Sequence, residues 1–221
     1  MKVVFVIDAL RSPVVKFGGS LSNIRPDDLA ATVIKALVQR NPNLDVTQIE
    51  DVILGAANQA GEDNRNVARM ALLLAGLPVN IGGNTVNRLC ASGLQSIIDA
   101  TRAIQSGDGE VYIAGGTESM TRAPFVMAKA ETAFSRTPEI YDTTIGWRFT
   151  NKALAALYHP YSMGETAENV AKQWNISRQE QDEFALSSQQ KYQLAHEQGL
   201  FNNELTTIEI PQKKGEPKRF D

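Results

Sequence analysis

Thr85-Val86-Asn87-Arg88-Leu89-Cys90-Ala91-Ser92-Gly93-Leu94 is where a β-branched run gives way to a helical pattern. The change of period inside ten residues is the signature of a strand that turns directly into a helix. Cys90 is the only cysteine of the chain and sits in that turn. The first turn of a helix carries unpaired N–H groups and the positive end of the helix dipole, and both favour an ionised sulfur over a neutral thiol. A lone cysteine is equally a small hydrophobe suited to a core. Position alone leaves nucleophile and core filler both open, because a catalytic cysteine also needs a partner base.

Outward from this turn, short apolar runs alternate with helical patterns. Val3 to Asp8 is a β-branched run, and Asp27 to about Gln39 has Leu29, Val33, Ala36 and Leu37 at helical spacing. Asp51 to Ala57 is a second strand candidate, and Asn64 or Asn66 is placed to cap a helix that ends before Gly76 and Pro78. Asn84 to Leu89 is a third strand, Ala91 to about Gln105 a helix closed by Gly107, and Glu110 to Ala114 a fourth strand closed by Gly115-Gly116. Short buried strands separated by helices predict an α/β fold, its sheet mostly parallel and covered by helices on both faces.

Past Thr117 the alternation stops. Residues 118–160 are irregular and punctuated by Pro124, Pro138, Gly146 and Pro160, and a stretch of that length in a compact protein is usually functional. A helix from Glu165 to about Trp174 follows. A second starts at Ser177, where Glu180 completes a capping-box pattern, and runs to about Gln198. Leu205 to Ile210 is a further strand candidate, and Gln212 to Asp221 reads as a polar tail. The expected organisation is an α/β core over residues 1–117 and a helix-rich segment over residues 118–221.

Composition narrows the function classes. A net charge of −3 argues against a nucleic-acid-binding face. One cysteine excludes an internal disulfide, and with only two histidines it leaves little material for a zinc site. Asp8 and Arg11 interrupt the apolar N-terminus before a signal-peptide core could form, and no apolar run approaches the ~20 residues of a membrane helix. The expectation is a cytoplasmic protein with no membrane or nucleic-acid partner.

Several residues bear on chemistry. The small side chains of Ala91, Ser92 and Gly93 leave the helix-start N–H groups open to a bound carbonyl, which suits acyl transfer through a cysteine thioester. Neither histidine is a convincing base: His159 lies in the irregular stretch, and His196 lies on a charged helix face. Gly115-Gly116-Thr117-Glu118-Ser119-Met120 follows a strand but lacks the spacing of a phosphate-binding loop, so its glycines read as allowing close backbone approach. Lys213, Lys214, Lys218 and Arg219 are either a phosphate-facing cluster or a solvated tail.

Taken together, Asn87 to Leu94 and Ala114 to Met120 resemble the nucleophile and strand-end motifs of the thiolases. Ser162-Met163-Gly164-Glu165-Thr166-Ala167-Glu168-Asn169-Val170-Ala171 and Ser177 to Phe184 are similar to that family's loop domain. Gly61 to Met70 and Tyr141 to Phe149 are similar to the 3-oxoadipyl-CoA (β-ketoadipyl-CoA) thiolases of aromatic-compound breakdown. Ala91 stands where glycine is commonest after the nucleophile.

The resemblance implies a thiolase-like fold: the N-terminal half, with a mixed and mostly parallel sheet, plus most of an α-rich loop domain. It implies that Cys90 takes the acyl group of a 3-oxoacyl-CoA, releasing acetyl-CoA, and that a second coenzyme A then collects it. For 3-oxoadipyl-CoA the products would be succinyl-CoA and acetyl-CoA. Coenzyme A would be a co-substrate, with no permanently bound cofactor and no metal. Ser162 and Met163 fall where the loop domain lines the pantetheine channel, and Lys213 falls near the position that meets the CoA phosphates. Some biosynthetic thiolases carry histidine where this chain has Ser162. Arg148, beside Trp147 in the subfamily-like segment, is a candidate for the distal carboxylate, since guanidinium binds carboxylates bidentately.

Thiolases form dimers or tetramers and consist of two similar halves. The second half supplies an activating histidine, a second cysteine and an asparagine-held water. The resemblance therefore implies that the C-terminal half is absent here, that the last strand of the first half would follow Asp221, and that these residues alone do not turn over. Two alternatives share the core motifs: a biosynthetic acetoacetyl-CoA thiolase, and a non-catalytic thiolase-like CoA-binding module.

Overall fold

The computed structural model describes residues 2–221. Its framework is three apolar runs that pair as parallel strands: β1 (Ile49–Gly55) at the centre, β2 (Gly82–Val86) on one side and β3 (Val111–Gly116) on the other. The parallel connections are made by helices α2 (Val67–Leu74) and α3 (Ser92–Ser106), as the alternation of periods predicts. α1 (Pro26–Arg40) precedes the sheet and packs on α2.

Alternation along β1 sends its side chains to two faces. Val52 and Leu54 join Ala30, Ile34, Ala68, Leu72 and Ile113 in the main core, beneath α1 and α2. Gly55 meets the start of α3 on the opposite face. Asn66 fastens α2 to β2: its Oδ1 accepts the N–H of Arg69 (3.1 Å) and the hydroxyl of Thr85 (2.9 Å), and its Nδ2 donates to the carbonyl of Gly83 (2.7 Å). α3 ends at Gly107, whose φ of 90° is the left-handed conformation that glycine adopts without a Cβ penalty.

Two expectations are corrected at the termini. Val3 to Asp8 is not a strand. Phe5, Val6 and Ile7 are exposed, and between this segment and the unpaired edge of β3 lies a cavity of about 930 Å³, lined on one side by Val4–Ser12 and on the other by Val111–Glu118. A β-branched run becomes a strand only against a partner edge, and across this gap none is in reach. Residues 212–221 are not simply a polar tail. β6 (Ile208–Ile210) pairs antiparallel with β7 (Lys218–Phe220), and Phe220 packs with Leu21, Ile208 and Ile210 in a second small core.

Contacts divide the chain into two compact units. The first comprises the residues up to Pro124 together with Glu204–Asp221; the second is Phe125–Asn203. Residues 204–221, expected within the helix-rich segment, therefore pack with the α/β core. The return is secured where the Arg11 N–H donates to the Glu204 carbonyl (2.7 Å) and the Thr206 N–H donates to the Arg11 carbonyl (3.0 Å).

The second unit holds the hairpin β4 (Phe125–Met127) and β5 (Ile140–Asp142), then α4 (Lys152–Leu157), α5 (Met163–Trp174) and α6 (Arg178–Glu197). No residue of α5 or α6 is buried. These helices are stabilised locally, by capping boxes at Ser162/Glu165 and Ser177/Glu180 and by i,i+4 pairs such as Arg178–Asp182 and Gln193–Glu197.

In the first unit, Arg122 ties three loops together. Its guanidinium grips Glu62 bidentately, with both contacts at 2.5 Å, and donates to the Ser22 carbonyl at 3.0 Å. Arg25 reaches the same carboxylate at 3.3 Å. The Arg122 hydrogen bonds hold the Glu62 carboxyl below the usual carboxylate range. A lowered folded value means that this stabilisation is full above the unfolded value of about 4.3 and is lost as pH falls through the folded value. Glu62→Gln is thus expected to cost about 1–2 kcal/mol at pH 7 by chemical denaturation, and the deficit should shrink steadily below pH 4. A deficit that stays constant with pH would contradict this role.

Candidate functional site

The first unit places Cys90 in the turn between β2 and α3, at the carboxyl ends of the strands, where open parallel sheets bind their ligands. Cys90 is exposed, which removes the core-filler reading. α3 begins at Ser92, two residues beyond Cys90, so the cysteine immediately precedes a helix N-terminus.

That placement depends on a close approach. A Cβ at Gly55 would lie 2.3 Å from the carbonyl carbon of Ser92 and 2.5 Å from the amide nitrogen of Gly93. Only glycine at the end of β1 lets the backbone of α3 sit this near the sheet. The end of β3 is drawn in as well: the Thr117 N–H donates to the Gly55 carbonyl (3.0 Å), and the Thr117 hydroxyl donates to the Pro26 carbonyl at the start of α1 (3.1 Å).

The turn is also fastened from within. Ser92 is 4% exposed, and its hydroxyl donates to the Leu89 carbonyl (2.6 Å) and accepts the Arg88 N–H (2.8 Å). Leu89 is left-handed, with φ 49°, and its side chain is 70% exposed. An apolar residue held in that conformation is strained, so the surroundings must impose it. Asn87 and Ser92 do so, and Glu118 braces the neighbouring loop from β3. Sequence reasoning gave Asn87 and Glu118 no individual role and read Ser92 only as a small side chain that keeps the helix start open. The available signal was their polarity beside the one cysteine, but the partners of Asn87 and Glu118 lie 30 and 61 residues away.

The other candidate residues are placed as follows. Ser162 caps α5: its hydroxyl accepts the Glu165 N–H (3.3 Å), and its own N–H donates to the Glu165 carboxylate (2.8 Å). Met163 opens α5 and is 67% exposed. Arg148 is half-buried. The indole of its neighbour Trp147 donates to the carbonyl of Tyr161 (3.2 Å), which brings the Arg148 and Ser162 segments together within the second unit. Lys213 lies exposed in the β6–β7 loop of the first unit, a hairpin held by Leu21 and its neighbours rather than by the Cys90 turn. His159 packs on Tyr161, with ring centres 4.4 Å apart, and His196 stacks on Tyr192; both belong to the second unit. Among the described residues no cluster of His, Cys, Asp and Glu is arranged to hold a metal ion, and no helix is long and apolar enough to cross a membrane.

An exposed cysteine at the start of a helix, in a turn held by its own polar groups, can accept an acyl group. The expectation that the helix-start N–H groups all stay open is corrected: those of Ala91 and Ser92 donate to the Arg88 and Leu89 carbonyls (3.1 and 3.0 Å), which leaves the N–H groups beyond Ser92 in the first turn of α3 to receive a carbonyl oxygen. Comparison with known proteins points the same way. Residues 4–221 match a family model described as the thiolase N-terminal domain. The 3-oxoadipyl-CoA/3-oxo-5,6-dehydrosuberyl-CoA thiolase of Escherichia coli K12 is 56% identical over 215 residues, which are 97% of this chain and 54% of that protein. A β-ketoadipyl-CoA thiolase of Acinetobacter baylyi is 53% identical over 221 residues, or 100% of this chain and 55% of that protein. Among solved structures, the acetyl-CoA acetyltransferase of Bacillus anthracis superposes with a TM-score of 0.84 at 35% identity, covering 96% of this chain and 52% of that one. The chain spans about half the length of the curated relatives it matches.

The site geometry sets two stability expectations, each checked by denaturant unfolding. Gly55→Ala should cost about 3 kcal/mol, because a Cβ there must push α3 off the sheet. Ser92→Ala should cost about 2 kcal/mol, since it leaves the Arg88 N–H and the Leu89 carbonyl without their partner. Either variant unfolding like the wild type would show that α3 is anchored elsewhere.

Proposed function

Because the chain belongs to the thiolase family, we propose that it carries the acyl-accepting part of a thiolase, with Cys90 as the nucleophile. The observation that carries this reading is the exposed cysteine placed just before the first turn of α3. The sulfur adds to the 3-oxo carbon of a 3-oxoacyl-CoA. The bond between C2 and C3 then breaks, its electron pair leaves with C2, and protonation there releases acetyl-CoA. The acyl group stays on Cys90 as a thioester until the thiol of a second coenzyme A displaces it, restoring the cysteine. The N–H groups beyond Ser92 in the first turn of α3 stabilise the oxyanion formed in each step. Coenzyme A is a co-substrate, and no resident cofactor is invoked.

The substrate is proposed to be 3-oxoadipyl-CoA, with succinyl-CoA and acetyl-CoA as products in aromatic-compound degradation. Support comes from the relatives named for that substrate, which are 53% and 56% identical, against 35% for the acetyl-CoA acetyltransferase structure. Arg148 is proposed to pair with the distal carboxylate, Ser162 and Met163 to border the pantetheine, and Lys213 to meet the CoA phosphates. A cytoplasmic setting and a homo-oligomeric full-length protein complete the proposal.

Incubation with succinyl-CoA or 3-oxoadipyl-CoA, followed by peptide mass spectrometry, tests the nucleophile. One succinyl group on Cys90 is the expected result, and its absence would favour a non-catalytic CoA-binding module. Faster acylation by acetyl-CoA than by succinyl-CoA would favour the biosynthetic acetoacetyl-CoA reading. Arg148→Ala should lower the succinyl-to-acetyl rate ratio about tenfold, the worth of one charge-assisted pair. An unchanged ratio would remove Arg148 from substrate recognition.

A further inference from the structure

The Cys90 turn is joined to both neighbouring strand ends by three hydrogen bonds that start at a carboxylate. Glu118, two residues beyond β3, accepts the N–H of Ala57 at 2.8 Å. Ala57 lies two residues beyond β1, and its carbonyl accepts from Nδ2 of Asn87 at 2.9 Å. Asn87, the first residue beyond β2, then accepts the N–H of Leu89 on its Oδ1 at 2.9 Å. Leu89 directly precedes the nucleophile and is the turn's left-handed residue. The connections run from β3 to β1 to β2 and end one residue short of the sulfur.

We propose that Asn87 and Glu118 are positioning residues for Cys90. They act on it through the backbone of Ala57 and Leu89, not by touching the substrate. The strain at Leu89 makes such restraint necessary, because a turn free to relax its positive φ would swing the following residue. Ser92 restrains the turn from inside, binding only Arg88 and Leu89. Asn87 is the residue that links the turn outward, and its amide does so with both ends at once, donor to Ala57 and acceptor to Leu89. Glu118 fixes the far side of that link. Acyl transfer needs the sulfur at a set distance from the helix N–H groups, and a small displacement there is expensive in rate. The purpose of this bracing rests on Cys90 being an acyl acceptor, whereas the bracing itself is measurable without that assumption.

Amide hydrogen exchange by NMR on the 221-residue chain reads the bracing directly, at the N–H groups of Ala57 and Leu89. Asn87→Ala should speed exchange at Leu89 about tenfold, since its acceptor is gone. Glu118→Ala should speed exchange at Ala57 similarly and, through the chain, at Leu89 about threefold. Glu118→Gln, which keeps an oxygen acceptor, should leave both within about twofold of the wild type. Thermal melts of each variant separate local release from general loosening of the fold.

If Leu89 exchange is indifferent to Glu118→Ala, or if Glu118→Gln behaves like Glu118→Ala, the proposal is overturned whatever the chemistry of Cys90. A second readout concerns function. Acylation by succinyl-CoA should fall about tenfold in Asn87→Ala, while alkylation by iodoacetamide, which needs no oxyanion site, stays within about twofold. Equal losses in both reactions would mark general damage and count against positioning. A wild-type chain that is not acylated at all defeats the thiolase reading above, and the exchange data still decide the bracing.

Discussion

The contact between Gly55 and the start of α3 is the constraint from which the rest of the site follows. Backbone meets backbone there, with no room for a single added carbon. It fixes where a strand end and a helix start meet, and the cysteine lies in the turn that precedes that start. Everything else in the neighbourhood serves to keep that meeting point in register. Thr117 ties β3 to Gly55 and to α1, Asn66 ties α2 to β2, and Ser92 closes the turn on itself. A parallel sheet suits such an arrangement because its strand ends converge on one edge, bringing residues distant in sequence within reach of one another.

How the two units are stabilised differs. The α/β unit is held by buried side chains of β1, α1 and α2, so its strand ends form a rigid platform. In the second unit, α5 and α6 bury none of their residues and depend on capping boxes and i,i+4 pairs. A nucleophile gains from a rigid mount. Ser162 illustrates the economy of the second unit, because the side chain proposed to border the pantetheine is also the cap of α5.

Legibility followed the range of the interactions. The β2–Cys90–α3 turn could be read because the change from period two to period 3.6 is local, and the caps at Asn66 and Ser177 because a cap acts within a few residues. Val3 to Asp8 misled because β-branched composition reports a preference for pleated surface, while pairing needs an edge within reach. The β6–β7 hairpin was hidden by its own alternation: Lys218 and Arg219 advertise a solvated tail, and Phe220 alone turns inward. The run from Glu118 through Ala57 and Asn87 to Leu89 could not be read at all. It exists only once three strand ends have been brought together, and no spacing in the chain records it.

The central claim is that α3 presents its N-terminal N–H groups to a carbonyl carried by Cys90. Infrared difference spectroscopy of chain acylated with [1-¹³C]acetyl-CoA tests it most directly, since the isotope isolates the thioester C=O stretch. Hydrogen bonding from the helix start should lower that frequency below the value of a thioester free in water. Denaturing the acylated chain should abolish the difference. A band already at the free-thioester position in the folded protein would contradict the placement of the acyl carbonyl against α3.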